Sequence, residues 1–202
     1  SFVTVEGAEV RKAEPAALDL PHLPQPVLPV IEGTFNIVIT GVGGTGVVTV
    51  GALLAMAARL EGKGAGEMEM AGLAQKGGSV HIHCRLARTP EAISAIRVAV
   101  GEADALIGGD LVTSAGSKTL ALMTRGRTRA VLNSHEIVTG DFTRDRGFRL
   151  PTDRLTLALR ARLGDGAIAV LDATRLAERV LGDAIYANVL LLGAAWQAGI
   201  VP

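Results

Sequence analysis

Between residues 34 and 202 the apolar positions fall into two alternating rhythms. Short apolar or alternating runs at 36–40, 66–70, 79–86, 103–107, 129–133 and 167–172 predict strands. Stretches with apolar residues every three or four positions, at 47–60, 91–99, 111–123, 151–163, 173–181 and 184–198, predict helices. Strands separated by helices of this length make βαβ units. They predict an α/β domain of three layers, Rossmann-like, with a mostly parallel sheet covered by helices on both faces. The run 36–40 is apolar toward both faces and is expected among the central strands. In the last helix, Ile185, Val189, Leu192 and Trp196 recur at three- and four-residue steps, so this stripe is expected to face the core.

The first 33 residues read differently. Pro15, Pro21, Pro24, Pro26 and Pro29 are interleaved with apolar residues. Each proline removes a backbone donor, so neither a helix nor a central strand can run through them. Residues 1–33 are expected to be a Pro-rich linker or extension from an upstream domain, and 34–202 the folded domain. The chain starts at Ser1 rather than Met, as a piece of a longer protein would.

Composition narrows the chemistry. Hydrophobic residues make up 49% of the 202 and aromatic ones only 3%, so the core must be aliphatic. Lys plus Arg equals Asp plus Glu at 20 each, which gives no global case for nucleic acid or a membrane surface. The charge is uneven, however. Ten basic residues lie between Lys118 and Arg162 against four acidic ones, a solvated surface or a face for an acidic or phosphorylated partner. Cys84 is the single cysteine, so no internal disulfide and no cysteine-based metal or iron–sulfur site can be built from this chain alone. That favours a reducing, cytoplasmic setting. No apolar run is long enough to span a bilayer, and no signal pattern opens the chain.

The most informative segment is Phe-Asn-Ile-Val-Ile-Thr-Gly-Val-Gly-Gly-Thr-Gly at 35–46. A β-rich run ends in Gly41, Gly43, Gly44, Thr45 and Gly46, and a helix pattern follows at once. Such a strand–loop–helix turn presents backbone N–H groups and a helix N-terminus to an anion, usually a phosphate. Gly41, Gly43 and Gly46 fit the spacing G-x-G-x-x-G. A dinucleotide site would add an acidic residue at the end of the second strand, where Glu67 and Glu69 stand. A second glycine-bearing loop, Gln75, Lys76, Gly77 and Gly78, brings a positive side chain and suggests a ligand or partner contacted from two sides.

The remaining candidates are weaker. His81 and His83 share a strand face, but no third metal ligand accompanies them. Cys84 points the other way and reads as a small core residue. Ser134 and His135 follow a strand, yet no G-x-S-x-G elbow is present for a hydrolase. No catalytic residue and no metal ligand set is therefore assigned. The residues leave three readings open: a domain of a larger enzyme, a nicotinamide- or flavin-binding dehydrogenase domain, and a non-catalytic α/β interaction module.

Three separated motifs carry a resemblance. They are Gly41-Val42-Gly43-Gly44-Thr45-Gly46-Val47, Gly72-Leu73-Ala74-Gln75-Lys76-Gly77-Gly78-Ser79-Val80 and Ala187-Asn188-Val189-Leu190-Leu191-Leu192-Gly193-Ala194-Ala195. Together they resemble the gamma domain of 2-oxoacid:ferredoxin oxidoreductases, most closely in the long fused bacterial enzymes that act on indolepyruvate. The opening Ser1-Phe2-Val3-Thr4-Val5-Glu6-Gly7 is similar to the stretch that follows the iron–sulfur segment there.

The resemblance implies an enzyme that oxidatively decarboxylates a 2-oxoacid on thiamine diphosphate to acyl-coenzyme A, with electrons passing through 4Fe-4S clusters to ferredoxin. It places the thiamine diphosphate and the clusters on other domains, which become this chain's partners, and leaves the isolated chain without turnover. It gives the gamma domain a part in holding coenzyme A, through Gly41, Gly43, Gly44, Thr45 and Gly46 in the first loop and Gln75, Lys76, Gly77 and Gly78 in the second. Many relatives carry Arg where Lys76 stands, so the planar two-pronged donor is replaced here by a point charge.

Overall fold

The computed structural model describes residues 22–71, 78–135 and 151–202. A six-stranded sheet runs in the order β2-β3-β1-β4-β5-β6. Its strands are β1 (Thr34–Val42), β2 (Gly64–Ala71), β3 (Ser79–Ala87), β4 (Ala105–Gly108), β5 (Arg129–Asn133) and β6 (Ile168–Leu171). β1, β4, β5 and β6 pair in parallel. β3 pairs antiparallel with β1, from Thr34 opposite Ala87 to Val42 opposite Ser79, and β2 pairs antiparallel with β3. The sheet is thus mostly parallel in strand direction, with one reversed strand inserted beside β1. β1 is central, as its doubly apolar sequence requires: Ile37, Val38 and Ile39 are all buried.

Helices cover both faces. On one lie α1 (Val47–Leu60), α5 (Ala173–Leu181) and α6 (Ala187–Gln197), packed on Ile37, Ile39, Ile82, Cys84 and Ile107. On the other lie α2 (Leu111–Ser114), α3 (Ser117–Leu122) and α4 (Thr152–Leu163), whose Leu111, Leu159 and Leu163 meet Val38, Leu106 and Leu132. The aliphatic core expected from composition is therefore split in two by the sheet.

Three expectations need correction. Residues 91–99 do not form a helix; only a 3-10 turn, Pro90–Ala92, precedes an irregular path. Backbone groups that a helix would consume are taken by side chains of β3: His83 Nδ1 accepts from the Val98 N–H at 2.9 Å, and Arg85 donates to the Ala95 carbonyl at 3.0 Å. The stretch 111–123 is two short helices, because Ala115 closes α2 and Gly116, extended, opens α3. Of the stripe Ile185, Val189, Leu192 and Trp196, Leu192 alone packs against the core, partly buried. Ile185 is 65% exposed, Val189 48% and Trp196 42%, while Ala187, Asn188, Leu191 and Ala195 are buried. Small residues let α6 sit close to the sheet, and a helix apolar on nearly every side gives its period little power to choose a face.

Residues 22–33 contain neither helix nor strand. They lie along the domain: Gln197 Nε2 donates to the Pro24 carbonyl at 2.8 Å and Arg88 Nε to the Ile31 carbonyl at 2.9 Å. Gly199, with φ of 62°, leaves room for Val27, whose carbonyl oxygen would stand 2.2 Å from any Cβ there. Pro15 and Pro21 lie outside the described residues. Arg129 donates to the carbonyls of Gly199 and Ala198 at 2.7 and 2.8 Å, closing the C-terminal end of α6 over the start of β5.

Candidate functional site

The glycine loop joins β1 to α1 at the carboxyl edge of the parallel strands, where α/β folds place their sites. Its tight turn is held by Val42, whose carbonyl accepts from the Thr45 N–H at 3.3 Å and from Thr45 Oγ1 at 2.8 Å. Gly44 and Gly46 take φ of 91° and 83°, which only glycine adopts freely. Gly41 has a different reason to be glycine: a Cβ there would meet Val47 Cγ2 at 2.3 Å, so its bareness lets α1 approach β1. Gly46 immediately precedes α1, no side chain caps that helix, and no acidic residue occupies its first turn. The first N–H groups of a helix have no acceptor within it, and its N-terminus carries roughly half a positive charge. Gly44 is exposed, and a Cβ on it would meet nothing within 4 Å.

Gly43 differs from its neighbours. Its N–H donates to the Gly78 carbonyl at 2.8 Å, tying the loop to the residue just before β3. Of the second loop, Gly78 is thus brought to the first, while Gln75, Lys76 and Gly77 lie outside the described residues. Asn188, at the start of α6, donates its side-chain amide to the Thr45 carbonyl. Its Oδ1 would stand 3.0 Å from a Cβ on Gly109, whose own N–H donates to the Thr40 carbonyl at 2.7 Å. The crevice between β1 and β4 is therefore sealed by Asn188, Gly109 and Val47. Reasoning from residue types did not single out Asn188 as a support of the loop. The available signal was an amide side chain at the start of the otherwise apolar stretch 187–196.

The carboxylates expected of a dinucleotide site are elsewhere. β3 stands between β1 and β2, so the end of β2 is not beside the glycine loop strand. Glu67 packs against α1, its Oε1 occupying the space a Cβ on Gly51 would need. Burial, and then Glu69, push its carboxyl above the usual range.

His83 is buried and His81 partly so, on the sheet face opposite Cys84. Burial and then the His81, Arg97 and Arg85 charges hold His83 down at about 4; burial and then Lys118 lower His81. Cys84 is buried against the α1 side, and burial followed by Glu67 pushes its thiol up to about 12. No group of three His, Cys, Asp or Glu able to hold a metal occurs among the described residues. His135 Nδ1 stands 3.7 Å from Asp172 Oδ1, and Ser134 donates its N–H to the Leu171 carbonyl at 2.9 Å. Part of the basic excess is structural: Arg127 pairs with Asp104 at 2.7 Å, and Arg162 donates to the Leu120 and Met123 carbonyls. Among the described residues no helix is long and apolar enough to cross a membrane.

This geometry is that of an α/β domain with a mostly parallel sheet, and residues 36–202 match the family model "Pyruvate ferredoxin/flavodoxin oxidoreductase". The chain belongs to that family. It is 30% identical over 158 residues to the indolepyruvate oxidoreductase subunit IorB of Archaeoglobus fulgidus, covering 78% of this chain and 74% of that relative. The fold is similar to pyruvate oxidoreductase subunit PORC from Thermotoga maritima (TM-score 0.57, 22% identity, 85% of this chain and 80% of that one). It is also similar to the keto/oxoacid ferredoxin oxidoreductase gamma subunit from Geobacter sulfurreducens (TM-score 0.54, 22% identity, 83% and 79%). A third likeness is to 2-oxoglutarate:ferredoxin oxidoreductase from Magnetococcus marinus, solved with 2-oxoglutarate, coenzyme A and succinyl-CoA bound (TM-score 0.53, 13% identity, 81% of this chain and 24% of that one). At these identities the three structures bear on the fold alone. The family and IorB place the chain among subunits of oxidoreductases.

Proposed function

We propose that this chain is the gamma domain of a thiamine-diphosphate- and iron–sulfur-dependent 2-oxoacid:ferredoxin oxidoreductase, acting on indolepyruvate or a related arylpyruvate in the cytoplasm. Its part is to hold a phosphate of coenzyme A at the glycine loop and to pack against the other domains. Residues 1–33 then act as the tether to an upstream domain. The arylpyruvate preference is supported by the likeness to IorB.

The observation that carries the coenzyme A role is the start of α1. Open space over Gly44, an uncapped helix N-terminus and no acid in its first turn together suit an anion that supplies the missing acceptors. Gly41, Gly43, Gly44, Thr45 and Gly46 would shape this cradle, and Gln75, Lys76, Gly77 and Gly78 are proposed as further phosphate contacts. Coenzyme A brings the thiol that takes the acyl group. This chain's residues bind and orient its phosphate, and Gly43 and Asn188 keep the loop in place. Cys84 is one buried thiol, whereas a 4Fe-4S cluster takes four thiolates, so clusters fall to other domains. Packing against those domains is supported by the apolar outer sides of α1 and α6, where Val48, Leu53, Met56, Leu60, Val189 and Trp196 are exposed.

The test is a charge placed in the exposed first turn of α1. Thr49→Glu in the complete enzyme should raise the KM for coenzyme A several-fold while leaving thermal stability equal or higher, because an acid there favours the helix but repels phosphate. Thr49→Gln should leave KM near the parent value. An unchanged KM in Thr49→Glu sinks the phosphate role.

A further inference from the structure

On the sheet face opposite α1, a cleft of about 830 Å³ opens where β2 ends and β3 begins. Met70, His81 and His83 line it from the sheet, Val112 and Lys118 from the α2–α3 segment, and Arg97 and Val100 from the irregular path after β3. It meets the glycine loop through Gly78, which lines the cleft and accepts from Gly43, and through Ser79, which pairs with Val42.

The hydrogen bonds around the two histidines fix their protons. His83 is 3% exposed, and its Nδ1 accepts from the Val98 N–H, so Nε2 carries the proton and has no acceptor among the described residues. Thr119 Oγ1 gives its one hydrogen to the Thr113 carbonyl at 2.7 Å. It must therefore accept from His81 Nε2, 3.0 Å away, which leaves His81 Nδ1 as an acceptor. Arg97 and Lys118 have no anionic partner among the described residues, and no carboxylate lines the cleft among them. Two unpaired cations and a fixed N–H donor thus line a space whose apolar wall includes Met70, Val100, Val112 and Leu122, with the hydroxyls of Ser79, Thr113 and Ser117 also on its lining.

We propose that this cleft binds a small carboxylate with an apolar body, its head held by Arg97, Lys118 and His83 Nε2–H and its body laid against Met70, Val100 and Val112. His81 Nδ1 accepts from any hydroxyl or amide on that body. The two cations call for an anion, and the apolar wall favours one that carries an apolar body over a bare inorganic ion. A few convergent polar groups in an apolar cleft is the usual composition of a small-molecule site.

The test uses 4-phenylbutyrate on the 202-residue chain, followed by amide chemical shifts. Amides of Ser79, Thr113 and Lys118 should move and saturate, while those of Met56 and Trp196 on the opposite face should not. The alcohol 4-phenylbutan-1-ol and inorganic phosphate should each bind more weakly, since one lacks the charge and the other the apolar body. The double variant Arg97→Ala/Lys118→Ala should lose roughly fivefold in affinity, as two partly exposed ion pairs would. Arg97→Lys/Lys118→Arg should retain most of it. No movement of the cleft amides, equal affinity in the alanine variant, or phosphate binding as tightly as 4-phenylbutyrate would each overturn the proposal. The glycine loop reading stands or falls separately, on coenzyme A and Thr49.

Discussion

The side-chain amide of Asn188 donates to the carbonyl of Thr45, so the last helix fastens the first glycine loop across 143 residues of sequence. The bond is local in space and remote in the chain. It makes the loop's shape depend on the docking of α6. Asn188→Ala should lower stability by about 1–2 kcal/mol, the usual effect of removing a buried hydrogen-bonding partner. It should also speed hydrogen exchange at Gly46 and Val47 more than at Ile37. Denaturant unfolding with exchange mass spectrometry checks both, and uniform exchange throughout would deny the link.

Gly41→Ala should destabilise by about 1–3 kcal/mol through overpacking against Val47. The clash is with one methyl group, so Gly41→Ala combined with Val47→Ala should recover part of the loss that the two single changes add up to. Gly44→Ala has no such neighbour and should cost about 1–2 kcal/mol through its positive φ alone, with no rescue by Val47→Ala. A thermal-denaturation double-mutant cycle separates the two causes.

His83 titrates low in the folded protein, at about 4 against 6.5. The fold therefore prefers its neutral form. Its contribution to stability is complete above about pH 6.5 and is lost as pH falls through the folded value near 4. His81, also lowered, acts in the same direction. The charges facing this pair are Lys118, Arg97 and Arg85. His83→Gln keeps an acceptor for the Val98 N–H without titrating, so it should lose less stability than the parent between pH 6.5 and 4. Parallel unfolding curves for the two proteins over that range would contradict this.

Cys84 should resist iodoacetamide in the native chain at pH 8, because burial keeps its thiol protonated up to about 12. Denaturant should release rapid labelling with a stoichiometry of one. Fast modification of the folded chain would place the residue outside the core.

Much of the fold could be read from residue pattern because local and tertiary preferences agreed. α1 begins where the glycines end and closes at Leu60, and β5 is apolar enough for its buried position. Pattern failed where distant groups decided. Nothing between 91 and 99 announces that His83 and Arg85 will claim its backbone. In α6 the larger side chains looked like the buried face, yet the sheet selected Ala187, Leu191 and Ala195. At the site, the glycines were legible by spacing. Asn188 and the cations of the cleft were not, since they meet only after the sheet is assembled.

The attachment of residues 22–31 has a mechanical consequence. They are clasped by Gln197 and Arg88 at the edge of the sheet where β1 starts, whereas the glycine loop lies at the edge where β1 ends. If residues 1–33 act as the proposed tether, that attachment would be a fulcrum with the full length of β1 as its lever arm, and a rotation about it would move the glycine loop further than the clasped edge.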